Sequence, residues 1–179
     1  FRNLAPVTLS ALAQVTLTTP NSFDRLVVDS PTAGQNRVSG TSDGVHMEPV
    51  TFFDVPDFIV DTATNDGGPI GDEVVIVAPL VATGLTAFRV QTGEGYDELT
   101  VDARSWGAGV RDRLIYFDGG ADSARLIMYG TDGPDHFMLG ANSVGLHYSL
   151  GDIGGIFVVE STDVNFAEVV GLAGADLFT

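Results

Sequence analysis

Apolar and polar residues alternate along most of this chain in short runs, and the runs are separated by Gly, Asp, Asn, Pro and Ser. Val15-Thr16-Leu17-Thr18-Thr19 is one such run, and Phe88-Arg89-Val90-Gln91 is another. Successive side chains of an extended segment point to opposite faces, so this alternation predicts strands with one buried face. It places strands at 25–30, 36–39, 45–48, 50–55, 58–62, 72–78, 87–92, 98–103, 113–117, 125–129, 136–139, 146–150, 156–160 and 168–170. Residues 10–14 are expected to make a single helical turn. No helical stripe of ten or more residues follows Gln14. Thr64-Asn65-Asp66-Gly67-Gly68-Pro69-Ile70-Gly71 is the richest turn former and is expected to be an exposed loop. The fold class is all-β. The inward positions are expected to be Val74, Ile76, Phe88, Val90, Leu99, Val101, Leu114, Tyr116, Leu126 and Met128.

The strands are launched by a recurring unit, Gly-x-Asp-x-apolar. Gly95-Tyr96-Asp97-Glu98-Leu99 shows it best. Gly95 can take the positive φ of a tight turn, Asp97 can bond the backbone of that turn, and Leu99 enters the strand. Related units are Gly34-Gln35-Asn36-Arg37-Val38, Gly133-Pro134-Asp135-His136-Phe137 and Gly174-Ala175-Asp176-Leu177-Phe178. Looser ones begin at Phe23-Asp24, Gly71-Asp72 and Arg111-Asp112. Anchors Val90, Leu99, Leu114, Leu126 and Phe137 lie 9, 15, 12 and 11 positions apart. That spacing suits the layers of a solenoid and also the turns of a β-sandwich. A longer repeat favours the solenoid: residues 25–28 resemble 125–128, 36–38 resemble 135–137, and 45–47 resemble 146–148. In the same order 58–60 resemble 168–170 and 72–74 resemble 176–178. The chain is therefore expected to be one continuous β-repeat region over 1–179, duplicated at roughly 15–79 and 113–179. It is also expected to be part of a longer protein.

Charge narrows the partners. The net charge of −16 opposes binding to nucleic acid or to an anionic membrane surface. Of the acidic residues 18 are Asp and 6 Glu, which places the acidity mainly in turns. There is no Cys, so disulfides, thiolate metal sites and cysteine nucleophiles are excluded. No apolar run approaches the roughly 20 residues of a spanning helix.

The run Phe88-Arg89-Val90-Gln91-Thr92-Gly93-Glu94-Gly95-Tyr96-Asp97-Glu98-Leu99-Thr100-Val101, with residues 169–178, resembles the degenerate Gly/Asp-rich repeats of large bacterial surface and secreted proteins. These are distantly similar to haemolysin-type calcium-binding repeats. The resemblance implies a right-handed parallel β-solenoid, a secreted or cell-surface location, and a structural or adhesive role. Asp97, Asp135 and Asp176 are the positions at which it would place calcium. In the calcium-binding form the repeats run in tandem, whereas here Asp97, Asp112, Asp135 and Asp176 are 15, 23 and 41 residues apart, which opposes a continuous roll; isolated calcium sites stand as an alternative to the simpler reading that each Asp caps its own turn.

Other candidate chemistry is read against simpler roles. Asp54, Asp57 and Asp61 form one carboxylate set, and Asp112, Asp118 and Asp122 a second. Paired carboxylates on one face could cut polysaccharides, but solvated turn caps explain them as well. His46 and His147 occupy equivalent repeat positions, and with His136 they read as strand residues rather than as zinc ligands. Trp106, beside Ser105, is expected to cover an edge of the core. No nucleophile elbow, P-loop or dinucleotide fingerprint occurs. The leading expectation is a non-enzymatic structural or interaction segment whose partners are flanking repeats or other protein chains. The alternatives are a polysaccharide-binding or polysaccharide-cleaving parallel β-helix, and an antiparallel β-sandwich interaction module.

Overall fold

The computed structural model describes residues 6–106, 113–137, 140–142, 145–149 and 157–179. In chain order the strands are β1 (Val7–Ser10), β2 (Gln14–Thr18), β3 (Asp24–Asp29), β4 (Asn36–Ser42), β5 (Val45–His46) and β6 (Val50–Phe53). They continue with β7 (Asp57–Asp61), β8 (Glu73–Ile76), β9 (Ala87–Gln91), β10 (Tyr96–Asp102), β11 (Arg113–Asp118) and β12 (Ser123–Tyr129). The last are β13 (His136–Phe137), β14 (Gly140–Asn142), β15 (Gly145–Ser149), β16 (Phe157–Thr162), β17 (Phe166–Val170) and β18 (Leu177–Phe178). No helix occurs among the described residues. The predicted strands are all present within a few residues, except that 138–139, 150 and 156 lie outside the described residues. Residues 10–14 make no helical turn. Ala11 turns the chain at φ 57° and β2 begins at Gln14, because an isolated turn of helix gains less than pairing Val15–Leu17 with β7.

Two sheets run side by side, and the chain steps between them. β2, β7, β9, β11 and β16 pair in parallel in one; β3, β8, β10, β12 and β17 pair in parallel in the other. Each tier is thus one strand from each sheet. The mostly parallel pairing excludes an antiparallel sandwich as the architecture. Register puts like on like: Leu26, Val74, Leu99, Leu126 and Ala167 form one inward column, and Val28, Ile76, Val101, Met128 and Val169 the next. Across from them Val15, Phe58, Phe88, Ile115 and Val159 form a third. Phe58 and Phe88 stack with rings 3° from parallel and centroids 5.9 Å apart, and Phe52 lies 3.9 Å from Phe58 and 6.3 Å from Phe88. Buried residues of both sheets belong to one core.

Two features differ from the expected arrangement. Leu114 and Tyr116 are not core: in β11 it is Ile115 and Phe117 that are buried, and Tyr116 instead lies under the Arg89 guanidinium, 4.2 Å away. Leu114-Ile115-Tyr116-Phe117 is apolar on both faces, so alternation alone cannot choose the phase; pairing with Phe88 does. Antiparallel strands also flank the parallel body. β4 pairs antiparallel with β3, β5 and β6, and β15 with β14 and β16. Asp43 and Gly44, at φ 51° and 73°, close the two-residue turn from β4 to β5, a geometry that suits a tight hairpin. The blocks 58–60 and 168–170 fall in different sheets, β7 beside β9 and β17 beside β12, whereas Leu26 and Leu126 share a column.

Candidate functional site

At the corner where each tier passes from one sheet to the other, a residue at the start of the strand is repeatedly an oxygen acceptor. Asp24 precedes Leu26 by two positions, Asp72 precedes Val74 and Asp97 precedes Leu99, so the three occupy one column. They do not cap only their own turns, as the Gly-x-Asp unit suggested. Asp72 Oδ1 accepts the backbone N–H of Asp24 at 2.8 Å, and Asp97 Oδ1 accepts that of Asp72 at 2.7 Å. Farther along, Asn165 Oδ1 accepts from Ala124 N at 2.9 Å, and Asp176 Oδ1 accepts from Asp135 N at 3.1 Å. Asp24, Asp72, Ala124 and Asp135 are thus each braced to a neighbouring corner, because a buried N–H without a partner costs about 1–3 kcal/mol.

Glycine is required where these corners approach. Gly95 holds φ 114°. A Cβ on Gly71 would sit 1.7 Å from the Tyr96 carbonyl oxygen. Both belong to the unit read from the sequence, and both let one corner press directly on the next.

Bracing uses only one oxygen of each carboxylate. Asp72 and Asp97 are 1% and 0% exposed, yet Oδ2 of each has no hydrogen-bond partner, and Asp66 Oδ2 is likewise buried without one. Asp66, Asp72 and Asp97 each present an oxygen, and the three lie within 4.8 Å of one another. Asp66 reaches the group from the 64–71 loop. Its own N–H bonds Ala63 O at 3.2 Å, its Oδ1 accepts from Gly67 N at 2.7 Å, and its side chain rests on Gly93, where a Cβ would come within 2.7 Å of Oδ2. The same loop is tied to the first tier by Asn65, whose Nδ2 donates to Thr19 O at 2.7 Å. The Thr62 and Thr92 hydroxyls beside Asp72 and Asp97 donate to Gln91 O and Asp118 O, both at 3.2 Å, which commits their single protons elsewhere.

The electrostatics follow. Burial pushes the Asp72 carboxyl up to about 7, with the charges of Asp24 and Asp97 adding to the rise against the lowering bond from Asp24 N–H. Burial likewise raises Asp97 and Asp24 above the ordinary carboxylate range. Among the described residues no arginine ion pair reaches Asp66, Asp72 or Asp97. Arg25, Arg37, Arg89, Arg104 and Arg125 are engaged by other carboxylates, as in Arg125 between Glu98 and Glu168. Three hard anionic oxygens converging without a countercharge fit the donor set of a divalent cation such as calcium.

The remaining candidates are dispersed. Asp135 is buried, but both of its oxygens accept from Thr131, through N–H at 2.7 Å and the hydroxyl at 3.0 Å, and it stands with Asp176 rather than with Asp97. Asp54 accepts from Thr83 at 2.7 Å; Asp57 from Gln14 and Arg89 at 2.7 and 2.8 Å; Asp61 from Thr64 and Thr18. Asp118 accepts from Gly120 N and Asp122 from Gly95 N, and Asp112 lies outside the described residues. His46 is exposed, His136 bonds Thr179 at 3.1 Å, and the side chain of His147 lies outside those described. Trp106 is buried in the core. Sequence reading missed Asp66, which belongs to no Gly-x-Asp unit; its one signal is the Asn65-Asp66-Gly67 turn. Comparison with protein-family models, with curated proteins and with solved structures returned no match for the chain.

Proposed function

We propose that the chain is a structural and interaction segment of a bacterial extracellular or cell-surface protein, without catalysis, wound as a β-solenoid and joined to flanking repeats or other chains. The observation that supports this most is the use of the corner polar groups. Asp72, Asp97, Asn165 and Asp176 spend an oxygen on the backbone of the neighbouring tier, which is what a stacking scaffold needs and a catalytic groove does not. Stability in such a stack comes from each layer's contact with the next. The experiment is native-state hydrogen exchange combined with incubation of the chain with acidic and neutral polysaccharides. The amides of Asp24, Asp72 and Ala124 should exchange only with global unfolding, and reducing-end content should stay constant. Fast exchange there, or turnover of a polysaccharide, would overturn the reading.

A second reading, polysaccharide binding, is favoured by a hollow on the face of β9, β11 and β16. Arg89, Gln91, Tyr116, Asp118, Glu160 and Thr162 line it, which brings one aromatic ring beside donors and acceptors suited to sugar hydroxyls. In the same incubation it expects retention of a polysaccharide without cleavage, lost in Tyr116→Ala.

A further inference from the structure

The triad at the second and third corners is over-provided for its bracing role. Asn36 and Asn165 brace their neighbours with a neutral amide oxygen, accepting from Ala82 N at 2.8 Å and Ala124 N at 2.9 Å. Negative charge is therefore not what bracing requires. At Asp72 and Asp97 the chain nevertheless buries two carboxylates side by side, each with one unpartnered oxygen, and folds a third onto them from a separate loop. An acidic cluster alone would carry little. Here the second observation is independent of acidity: Oδ2 of Asp72 and of Asp97 sit in fully buried side chains and accept no hydrogen bond. Buried polar atoms find partners almost without exception, so these oxygens call for a ligand that donates positive charge.

We propose that Asp66, Asp72 and Asp97 bind one calcium ion, which fastens the 64–71 loop to the corner between β9 and β10. Three carboxylate oxygens within 4.8 Å of one another are close enough to share the shell of one calcium ion, whose ligands stand about 2.3–2.6 Å from the metal. Calcium also tolerates irregular geometry and takes neutral oxygens, and the Thr62 and Thr92 hydroxyl oxygens beside Asp72 and Asp97 have lone pairs to offer. The site is not built from tandem repeats, since Asp66 enters from outside the repeated unit. The proposal stands apart from the scaffold reading: either could hold without the other.

The test uses the chelator-stripped chain, titrated with calcium chloride and separately with magnesium chloride, and follows heat of binding and thermal unfolding. One calcium per chain is expected. At a hundredfold excess over its dissociation constant the melting temperature should rise by roughly 5–10 °C. Asp66→Asn and Asp97→Asn should each weaken calcium by about tenfold or more through loss of ligand charge, whereas Asp132→Asn, an exposed change of the same charge, should not. Proteinase K should cut within 64–71 more slowly in calcium than in chelator. Asp66 takes no part in bracing the tiers, so Asp66→Asn keeps the test decisive even if Asp97→Asn fails to fold. Indifference to calcium, equal response to magnesium, or the same calcium affinity in Asp66→Asn as in Asp132→Asn would each sink the proposal.

Discussion

At Asn36 the oxygen that accepts a neighbour's N–H belongs to a neutral amide, whereas at Asp72 and Asp97 it belongs to a carboxylate. Both corners are fully buried. The Asn36 corner is complete: Oδ1 accepts from Ala82 N, and Nδ2 donates to Asp29 O at 3.1 Å and to Pro79 O at 3.0 Å. The Asp corner is not, for each carboxylate leaves one oxygen without a donor. The difference teaches that bracing and charge are separable. A neutral side chain can satisfy a corner outright, while a buried carboxylate braces equally well and is left with a charge that burial disfavours. Asp135 is the intermediate case, a buried carboxylate made tolerable by two bonds from Thr131.

The comparison can be broken first at Asn36. Asn36→Ala strands one buried backbone N–H and two half-buried carbonyls, and should cost roughly 3 kcal/mol in chemical denaturation at 25 °C. A loss below about 1 kcal/mol would mean that these bonds do not hold the corner. Asp97 sharpens it next, in chelator. Asp97→Ala leaves Asp72 N–H unpaired and should lower stability by about 1–2 kcal/mol relative to Asp97→Asn, which keeps an acceptor and removes the charge. Equal stability of the two variants would deny the bracing role.

The smallest effect is expected from pH, since burial raises Asp24 and Asp97 as well and their titration overlaps that of Asp72. Asp72 releases its proton near 3.8 when unfolded and near 7 when folded. Between those values the folded chain holds the proton more tightly, so this group's contribution is fully present below about pH 4 and is lost as pH rises through about 7. In chelator, Asp72→Asn should flatten the fall in urea midpoint between pH 5 and 8. An unchanged slope would remove Asp72 as its source.

Much of this arrangement is local chemistry and could be read residue by residue. Phe88-x-Val90 and Leu99-x-Val101 alternate cleanly, so their inward faces were legible; Leu114-Ile115-Tyr116-Phe117 does not, and there only the partner strand set the phase. Gly95 and Asp97 announced a corner because positive φ and a short acceptor are turn chemistry. The direction in which Asp97 bonds was not legible, since its donor, Asp72 N, lies 25 residues away.

The sequence by itself determined the strands, the corners between them and the acidity of those corners, because period-2 alternation and turn preferences act over a few residues. Only the tertiary structure decided that β3 and β4 run antiparallel while β3 and β8 run parallel, and that Asp66 meets Asp72 and Asp97. Corner residues Asp24, Asp72, Asp97, Ala124 and Asn165 are separated by 48, 25, 27 and 41 positions. Connections so unequal carry no period, and which oxygens converge is set by how the tiers stack rather than by where they stand along the chain.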